Sequence, residues 1–419
     1  MAKENFNFEF DVAVVGAGPA GIMAAAEASK GGLKVILIEK NIAPGKKLLL
    51  TGNGKCNLTN AEFNLKELVK NYNNGEFLFH AFSVFGPKET IYFFEQLGIK
   101  TKTIKDKKVF PVSEDAEEVL ESLLKYLKKN KVKTILNSEI VDVVKKGKKI
   151  DKIILKDGQI KAEKYIFCTG GKSYPSTGSD GLGYKLAKKL GHTIVMPAPA
   201  LSAIEIKEKL VKNLQGISLK NVKIKIIQAG KEKFCETGEI IFTHIGVSGP
   251  AILNISGKVE NLLKNGEVKI CFDLYSLLNQ EEFLKKIEYI FSRYSKKTLK
   301  NTLSDFMPER LAEVLLDVGG IDKNKIANSL SKSEKLKIVK SIKNFEMIVG
   351  SVLGFDHALV TRGGVSLKEI DHKTMKSKII DNLFFAGEII DIDGKTGGFN
   401  LQMCWSTGYI AGKNIVIKK

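Results

Sequence analysis

Three glycines near the start of the chain have the spacing of a phosphate-binding turn. They lie in GAGPAG (Gly16, Ala17, Gly18, Pro19, Ala20, Gly21), directly after the apolar run FDVAVV and before the Ala-rich segment IMAAAEASK. In such a unit the first glycine permits a tight turn, the second lets the backbone approach a pyrophosphate, and the third allows close helix packing. The following helix N-terminus attracts the phosphates. The pattern therefore predicts a dinucleotide site.

An acidic residue stands where a dinucleotide site needs one. Glu39, followed by Lys40, ends the next apolar run, LKVILIEK, and an acid there accepts a hydrogen bond from a ribose hydroxyl. The fingerprint does not distinguish FAD from NAD. Its early position and a second glycine cluster late in the chain favour FAD. Because no second strand–GxGxxG–helix unit follows, NAD(P)H as a transient electron donor would bind without a dedicated domain.

The elements that must position these residues alternate between strand and helix. Continuous apolar runs such as FDVAVV and KYIFC are typical of parallel strands buried on both faces. The two prolines of MPAPALSA indicate a domain exit. We therefore predict an α/β fold: a Rossmann-like FAD-binding domain formed by both chain ends (residues 1–196 and 350–419), with an inserted domain at 197–349. The insert is predicted to be β-rich over about 197–275 and helical over about 276–345.

Composition limits the classes of protein to consider. Hydrophobic residues make up 43% of the 419 residues, and no run of about eighteen apolar residues predicts a membrane span. MAKENFNFEF lacks the layout of a signal peptide. The five cysteines form no CxxC pair, which disfavours a zinc site and suits a reducing compartment. We expect a cytoplasmic protein with no bound metal and no membrane partner.

The net charge of +19 raises the question of nucleic-acid binding. Only Arg293, Arg310 and Arg362 among the 66 basic residues are arginine, the usual bidentate reader of guanine. The lysines are spread along helix faces, as in KYLKKNKVK. The pattern favours a lysine-rich solvated surface and leaves a weak attraction to anions open.

Several long motifs resemble one family. GAGPAG, GKKLLLTGNGKCNLTN, GGKSYPSTGSDGLGY, GEIIFTHIGVSGPAIL and LFFAGEIIDIDGKTGGFNLQMCWSTGYIAG occur in this order in the bacterial FAD-binding proteins known as aminoacetone-oxidase-like or bile-acid dehydro-reductase-like oxidoreductases. The resemblance covers essentially the whole chain. It implies FAD as cofactor and a fold related to fumarate-reductase-type and tRNA-modifying flavoproteins.

The resemblance also implies which residues hold the cofactor. The Gly/Asn loop, whose glycines would clear space for a flat ring, matches at Lys47, Thr51, Gly52, Asn53, Gly54, Cys56 and Asn57. A second segment matches at Thr169, Gly170 and Gly171, and the backbone near Ile140 resembles an adenine-contacting strand. The C-terminal motif supplies Gly387, Glu388, Gly397, Gly398, Phe399, Asn400, Leu401 and Gln402. A helix starting there would stabilise negative charge at flavin N1/O2.

Two residues are candidates for catalysis, each with an alternative. His244, in FTHIGVSGP, is either an acid that faces the flavin or an ordinary histidine at a strand end. Arg362, in VTRGGV, either anchors a substrate carboxylate or forms a structural ion pair. Cys404 and Trp405 are expected in the core of the last helix. No Ser-His-Asp arrangement or metal-spaced histidine cluster is recognisable.

These observations predict an FAD-dependent oxidoreductase that transfers hydride between flavin N5 and a small organic substrate. The substrate, the electron donor, the reaction direction and the oligomeric state stay open. One alternative is an RNA-directed, tRNA-modifying flavoprotein, suggested by the charge and the implied fold relatives. Another is a non-catalytic FAD-binding module.

Overall fold

The computed structural model describes residues 9–415. The segment before residue 9, which bears on the signal-peptide expectation, lies outside them. No helix in residues 9–415 has the length and apolar character required to cross a membrane. The described chain contains the strands β1 (Glu9–Val15), β2 (Val35–Ile38), β3 (Thr59–Asn60), β4 (Thr101–Thr103), β5 (Lys108–Pro111), β6 (Lys133–Ile135), β7 (Ile140–Lys146), β8 (Lys149–Leu155), β9 (Gly158–Phe167), β10 (Ile194–Ala200), β11 (Ile204–Ile206), β12 (Ser218–Gln228), β13 (Lys231–Phe242), β14 (Gly246–Ser248), β15 (Val268–Asp273), β16 (Phe345–Val352), β17 (Val360–Val365) and β18 (Leu383–Phe385).

Helices connect and cover these strands. The α-helices are α1 (Pro19–Lys30), α2 (Lys46–Leu49), α3 (Leu65–Val69), α4 (Phe79–Val84), α5 (Pro87–Gln96), α6 (Ala116–Lys129), α7 (Leu182–Lys189), α8 (Pro250–Leu263), α9 (Gln280–Arg293), α10 (Leu299–Ser304), α11 (Glu309–Gly319), α12 (Lys332–Lys343) and α13 (Phe399–Ile415). Short 3-10 helices span Gly75–Leu78, Lys105–Lys107, Pro175–Thr177, Lys209–Leu214, Ala327–Ser329 and Leu367–Glu369.

The described residues form two compact units. One runs to Ala200 and resumes at Phe355, and the other is Leu201–Gly354. These limits lie a few residues beyond the predicted boundaries at 196/197 and 349/350. The two prolines taken as a domain exit, Pro197 and Pro199, lie inside β10, beside a shift in its pairing with β17. A strand at a sheet edge or bulge tolerates proline because the missing N–H leaves no ladder bond broken.

The first unit is built on a mainly parallel sheet. β1 pairs in parallel with β2 and β9, β2 with β6, and β9 with β18, which gives the order β6-β2-β1-β9-β18. β7 and β8 continue the sheet in antiparallel fashion from the start of β9. Val12, Ala13 and Val14 are fully buried, as the continuous apolar pattern of β1 predicts. The predicted α/β class with a Rossmann core is confirmed.

The sheet register places four strand ends at one edge. Val15 is level with Ile38 and Phe167, and Phe167 is level with Phe385. The strand order reverses between β1 and β9, which creates a crevice beyond their carboxyl ends. Ligands of open α/β sheets bind at such a switch point. The loops that follow these four strands therefore define the candidate site.

The second unit contains a closed barrel in the order β11-β14-β13-β12-β15-β16. Buried side chains such as Ile224, Phe272 and Phe345 belong to a core that extends to helices α8–α12. The β-rich part thus precedes the helical part in sequence, as the pattern predicts.

Candidate functional site

The glycine turn begins where β1 ends. Gly16 has a φ of +96°, and a Cβ there would lie 2.5 Å from the carbonyl oxygen of Cys168. A Cβ on Gly21 would lie 1.8 Å from the carbonyl oxygen of Gly16. At Gly18, in contrast, nothing lies within 4 Å of the Cβ position. Internal packing thus requires glycine at positions 16 and 21, whereas Gly18 leaves open space where a phosphate would approach.

Helix α1 is suited to bind an anion at its first turn. It starts at Pro19, which has no N–H, and its first turn carries no acidic side chain. The positive end of the helix dipole is therefore not neutralised from within the helix. Together with the space at Gly18, this geometry fits a pyrophosphate.

Glu39 is tied to the glycine turn. Its carboxylate is 8% exposed, and Oε2 accepts a hydrogen bond from the backbone N–H of Ala17 at 2.8 Å. Oε1 accepts from the backbone and the side-chain amide of Asn41, at 2.9 and 2.7 Å. An ionised carboxylate has about four acceptor sites. It therefore retains capacity for the ribose hydroxyl that the sequence predicts as its ligand.

A cleft opens at this edge of the sheet, and about 890 Å³ of space lies within it, part of it open to solvent. Because the glycine turn, the first residues of α1 and Glu39 all border this cleft, the residues present fit the pyrophosphate and ribose of a dinucleotide. Its walls include thirteen of the predicted site residues: Gly16, Ala17, Gly18, Pro19, Ala20, Glu39, Lys40, Lys47, Ile140, Thr169, Gly170, Gly387 and Glu388.

A charged cluster closes one wall of the cleft. Lys47 Nζ lies 2.7 Å from Glu388 Oε2 and donates to Ser173 Oγ at 2.6 Å. Glu388 Oε1 accepts from Ser173 Oγ at 3.0 Å and from the backbone N–H of Thr361 at 2.8 Å. The cluster joins the loops after β2, β9 and β18 to β17. Our sequence reasoning did not single out Ser173 and Thr361, although Ser173 belongs to the GGKSYP motif.

The turn after β9 contributes mainly backbone to the cleft. The Thr169 hydroxyl is buried without a hydrogen-bond partner among the described residues. It packs under α7, where a Cβ on Gly183 would lie 1.8 Å from it. Gly171 lies outside the cleft wall, and a Cβ there would lie 2.4 Å from the hydroxyl oxygen of Thr361.

The Gly/Asn loop forms a second group, away from the cleft wall. Gly52, Asn53 and Gly54 are exposed and have positive φ, whereas Cys56 is fully buried. Thr51 donates its hydroxyl hydrogen to the carbonyl oxygen of Leu48 at 2.7 Å. Burial raises the pKa of the Cys56 thiol to about 12. The thiol is therefore protonated at neutral pH, which disfavours a reactive role and leaves the loop as a backbone scaffold.

The Gly/Asn loop packs against the start of α13. With its side-chain amide turned to the orientation that satisfies both polar atoms, Asn57 accepts through its oxygen from the backbone N–H of Gly398 at 3.0 Å. A Cβ on Gly398 would lie 2.3 Å from the carbonyl oxygen of Thr59. The two predicted flavin-contacting segments are thus in contact with each other. Gly397 completes the turn with a φ of +117°.

Several predicted residues of α13 use their side chains inside the fold. Asn400 accepts from the Gly394 N–H at 2.8 Å, and Gln402 is fully buried between Thr59 and Phe85. Phe399 and Leu401 are also buried. Their predicted contribution to cofactor binding stays a prediction.

Two thiols lie in the cleft wall. Cys168 follows β9, and Cys404, expected in the core, lines the cleft from α13. Cys404 reaches the cleft wall because Gly387 has no side chain to cover it. A Cβ on Gly387 would lie 3.6 Å from Cys404 Sγ. Burial raises the pKa of Cys404 to about 12, helped by the nearby Glu388 charge. Trp405 is fully buried, as expected.

Arg362 forms the structural ion pair that the sequence leaves as one of two alternatives. Its Nε and Nη2 atoms each lie 3.2 Å from a carboxylate oxygen of Asp393, which is 5% exposed. The nearby Asp391 has its pKa raised to about 6 by burial and by the Asp393 charge.

His244 lies in the second unit, in the turn between β13 and β14, and it is exposed. Its catalytic role stays a prediction. Among residues 9–415, no group of His, Cys, Asp and Glu side chains could hold a metal ion.

Comparison with known proteins identifies close full-length relatives. The chain is 32% identical to the 3-dehydro-bile acid delta(4,6)-reductase of Clostridium scindens, over 96% of this chain and 98% of that protein. It is 28% identical to a ribosomal RNA dihydrouridine synthase of Escherichia coli, over 98% of this chain and 99% of the relative. The corresponding protein of Haemophilus influenzae is 31% identical, over 96% and 97%.

Solved structures agree on the fold. A 3-ketosteroid-delta4-(5alpha)-dehydrogenase from Rhodococcus jostii superposes with a TM-score of 0.55 at 14% identity, covering 99% of this chain and 98% of that one. The family model of the HI0933-like protein Rossmann domain matches residues 10–414. The resemblance stated from the motifs is confirmed, and the chain belongs to the HI0933-like Rossmann family of FAD-dependent oxidoreductases.

Proposed function

We propose that this enzyme reduces a carbon–carbon double bond conjugated to a carbonyl group in a small organic substrate. The observation that carries the proposal is the chemistry shared by its full-length relatives. A 3-dehydro-bile acid delta(4,6)-reductase saturates double bonds next to a 3-keto group, and a dihydrouridine synthase saturates the double bond next to the C4 carbonyl of uracil. NAD(P)H is the proposed electron donor.

The chain's own residues would hold the cofactor in a defined order. The turn at Gly16–Gly21 and the start of α1 bind the pyrophosphate, Glu39 binds the ribose, and the start of α13 with the Gly/Asn loop faces the ring. Reduced FAD, when bound, would supply the hydride for the carbon β to the carbonyl, and the α carbon would take up a proton. We propose that His244 supplies this proton. Arg362 is left out of the substrate site because its guanidinium group binds Asp393.

The first test uses the purified protein. We expect a flavin spectrum that NADH or NADPH bleaches without oxygen and that a 3-keto-Δ4 steroid restores, with one saturated product formed per flavin. A reduced flavin that no conjugated ketone reoxidises would refute this function, and a colourless protein that takes up no FAD would refute the cofactor assignment.

A His244→Gln variant tests the proton donor. Loss of a general acid typically lowers kcat by about a hundredfold or more. FAD affinity and the rate of flavin reduction by NAD(P)H should stay unchanged. An unchanged kcat would leave His244 as an ordinary exposed histidine.

A second candidate substrate is uracil within RNA. The net charge of +19 and the two dihydrouridine synthase relatives favour it. This candidate predicts RNA binding that weakens steeply with added salt. Mass spectrometry of ribosomal RNA from a deletion strain should then show uridine at one position where the wild type carries dihydrouridine, which is a difference of two hydrogens. An unchanged RNA, with no binding at low salt, would reject it.

We also propose that the enzyme works in the reducing cytoplasm. All five cysteines, including the exposed Cys235, are free thiols. Such thiols persist where glutathione and thioredoxin keep them reduced.

A further inference from the structure

The ion pair of Lys47 and Glu388 lies in the wall of the cofactor cleft. The charged atoms are 2.7 Å apart, and the side chains are 22% and 12% exposed. Charges that are largely removed from water act over longer distances than surface charges, because solvent screens them less. A ligand in the cleft would therefore interact electrostatically with both Lys47 and Glu388.

Neighbouring groups hold this pair in one arrangement. Ser173, which is fully buried, donates to Glu388 and accepts from Lys47. The backbone N–H of Thr361 donates to the same Glu388 oxygen as Ser173, Oε1, and Lys47 donates to the other oxygen, Oε2. Because both oxygens of Glu388 have fixed partners, the carboxylate is oriented before any cofactor enters.

We propose that Lys47 and Glu388 act as an opposed charge pair that sets the reduction potential of the flavin. The proposal rests on FAD occupying the cleft and does not depend on which substrate is reduced. Flavin gains negative charge when it is reduced, so a nearby cation favours the reduced form and a nearby anion disfavours it. In the native pair these two effects oppose each other.

Three variants test the proposal through the midpoint potential, measured against a reference dye without substrate. Lys47→Met leaves the Glu388 charge and should lower the potential, whereas Glu388→Gln leaves the Lys47 charge and should raise it. Each shift should correspond to about a tenfold change in the ratio of FAD affinities of the two redox states, or about 30 mV for two electrons. The double variant should return close to the wild-type value.

Two controls separate charge from structure. Ser173→Ala removes hydrogen bonds but no charge, so it should weaken FAD binding and leave the potential nearly unchanged. Lys40 and Asp180 form a second pair, also 2.7 Å apart, in the cleft wall beside Glu39. Lys40→Met and Asp180→Asn should not shift the potential, because the ribose end of the cofactor carries no redox change.

Shifts of the two single variants in the same direction, or no shift in either, would overturn the proposal. If Glu388→Gln and the double variant cannot retain FAD, Lys47→Met still decides, because an unchanged or raised potential in that variant would overturn the proposal. A double variant that retains FAD but has the potential of Lys47→Met would also overturn it. A thermal melt of each variant establishes that the protein is folded.

Discussion

Gly18 and Gly21 belong to the same turn, yet the space around their α-carbons differs completely. An added Cβ would meet nothing within 4 Å at Gly18 and a carbonyl oxygen at 1.8 Å at Gly21. One residue thus faces the cleft, and the other lies where α1 crosses the end of β1. The same residue type lines the cleft at one position and permits close helix packing at the other.

Alanine at these two positions should separate the two roles. Gly21→Ala should destabilise the protein by about 3 kcal/mol, because backbone must move to admit the methyl group. Gly18→Ala should change stability by no more than about 0.5 kcal/mol but weaken FAD binding at least tenfold. Thermal melts measure the change in stability, and flavin titrations measure the change in FAD affinity. Equal loss of stability in the two variants would contradict this assignment.

Asp391 should make the protein less stable as pH rises. Its pKa is raised from 3.8 to about 6, so the folded chain keeps the proton over a window where the unfolded chain releases it. Stability contributed by this proton is present below about pH 4 and lost toward pH 6 and above.

The variant Asp391→Asn should therefore be more stable than the wild type at pH 7, by about 1 kcal/mol after solvent screening. The two proteins should converge near pH 4. Urea unfolding at several pH values measures the difference. Asp157→Asn, in the exposed turn before β9, is the matched control and should show no such trend. A constant offset at all pH values would contradict the titration argument.

Residue-scale prediction from sequence succeeds where the pattern is local. The roles of Gly16, Gly18 and Gly21 follow from spacing and flanking runs, and their local geometry matches. The cluster at Lys47 could not be derived from the sequence, because its partner Glu388 is 341 residues away. Nothing local indicates which lysine, among so many, meets which carboxylate.

At the scale of elements, the first and last helices of the described chain are packed backbone to backbone. A Cβ on Gly408 would lie 2.4 Å from the carbonyl oxygen of Ala20, and one on Gly412 would lie 2.4 Å from that of Ala24. The glycines, one helical turn apart, form a flat stripe on α13. This contact positions the start of α13 beside the glycine turn, which explains why both predicted cofactor motifs reach one edge of the sheet.

A buried histidine joins three further elements. His192 Nε2 lies 2.9 Å from Ser377 Oγ, Nδ1 lies 3.2 Å from Glu369 Oε2, and the ring packs nearly perpendicular to that of Phe385. The order Ser–His–Glu resembles a hydrolase triad, an arrangement that the sequence reading did not recognise. Ser377 is 4% exposed and its oxygen accepts two backbone N–H groups, at Ile379 and Ile380. It is a structural junction.

Lowering the pH should reduce the stability that the contacts of His192 contribute. Burial lowers the pKa of His192 below 6.5, so the unfolded chain binds the proton first as pH falls. The stability contributed by the neutral ring is present above about pH 6.5 and is lost below it, by at most about 1.4 kcal/mol per pH unit.

His192→Gln should therefore show a flatter dependence of Tm on pH between 7 and 5 than the wild type. Exposed His372→Gln is the control for the same substitution and should keep the wild-type profile. Identical slopes in all three proteins would contradict the assignment to His192.

At the scale of the whole molecule, each unit has a core of its own. One core lies in Leu201–Gly354, and two lie on the faces of the parallel sheet in the other unit. The strands that lead into and out of the second unit, β10 and β17, pair with each other, with Ala200 opposite Val360. A short linker could therefore replace residues 201–354.

We predict that such a shortened chain folds and binds FAD but reduces no substrate, because His244 is removed with the second unit. Flavin titration and an NAD(P)H-dependent reductase assay measure both properties. The full-length His244→Gln variant is the comparison. A shortened chain that unfolds or remains active would contradict this division.

The contact between α1 and α13 also constrains when the cofactor can enter during synthesis. The Gly/Asn loop, which is predicted to face the flavin ring, is tied to the last helix, as in the hydrogen bond from Trp405 Nε1 to the carbonyl oxygen of Leu58 across 347 residues. At roughly 5–20 residues per second, the ribosome needs about twenty to seventy seconds to cover that separation. During this time the glycine turn has been synthesised, but the cleft is incomplete because α13 has not. The barrel unit can already fold. FAD loading becomes a late event, after the final helix emerges.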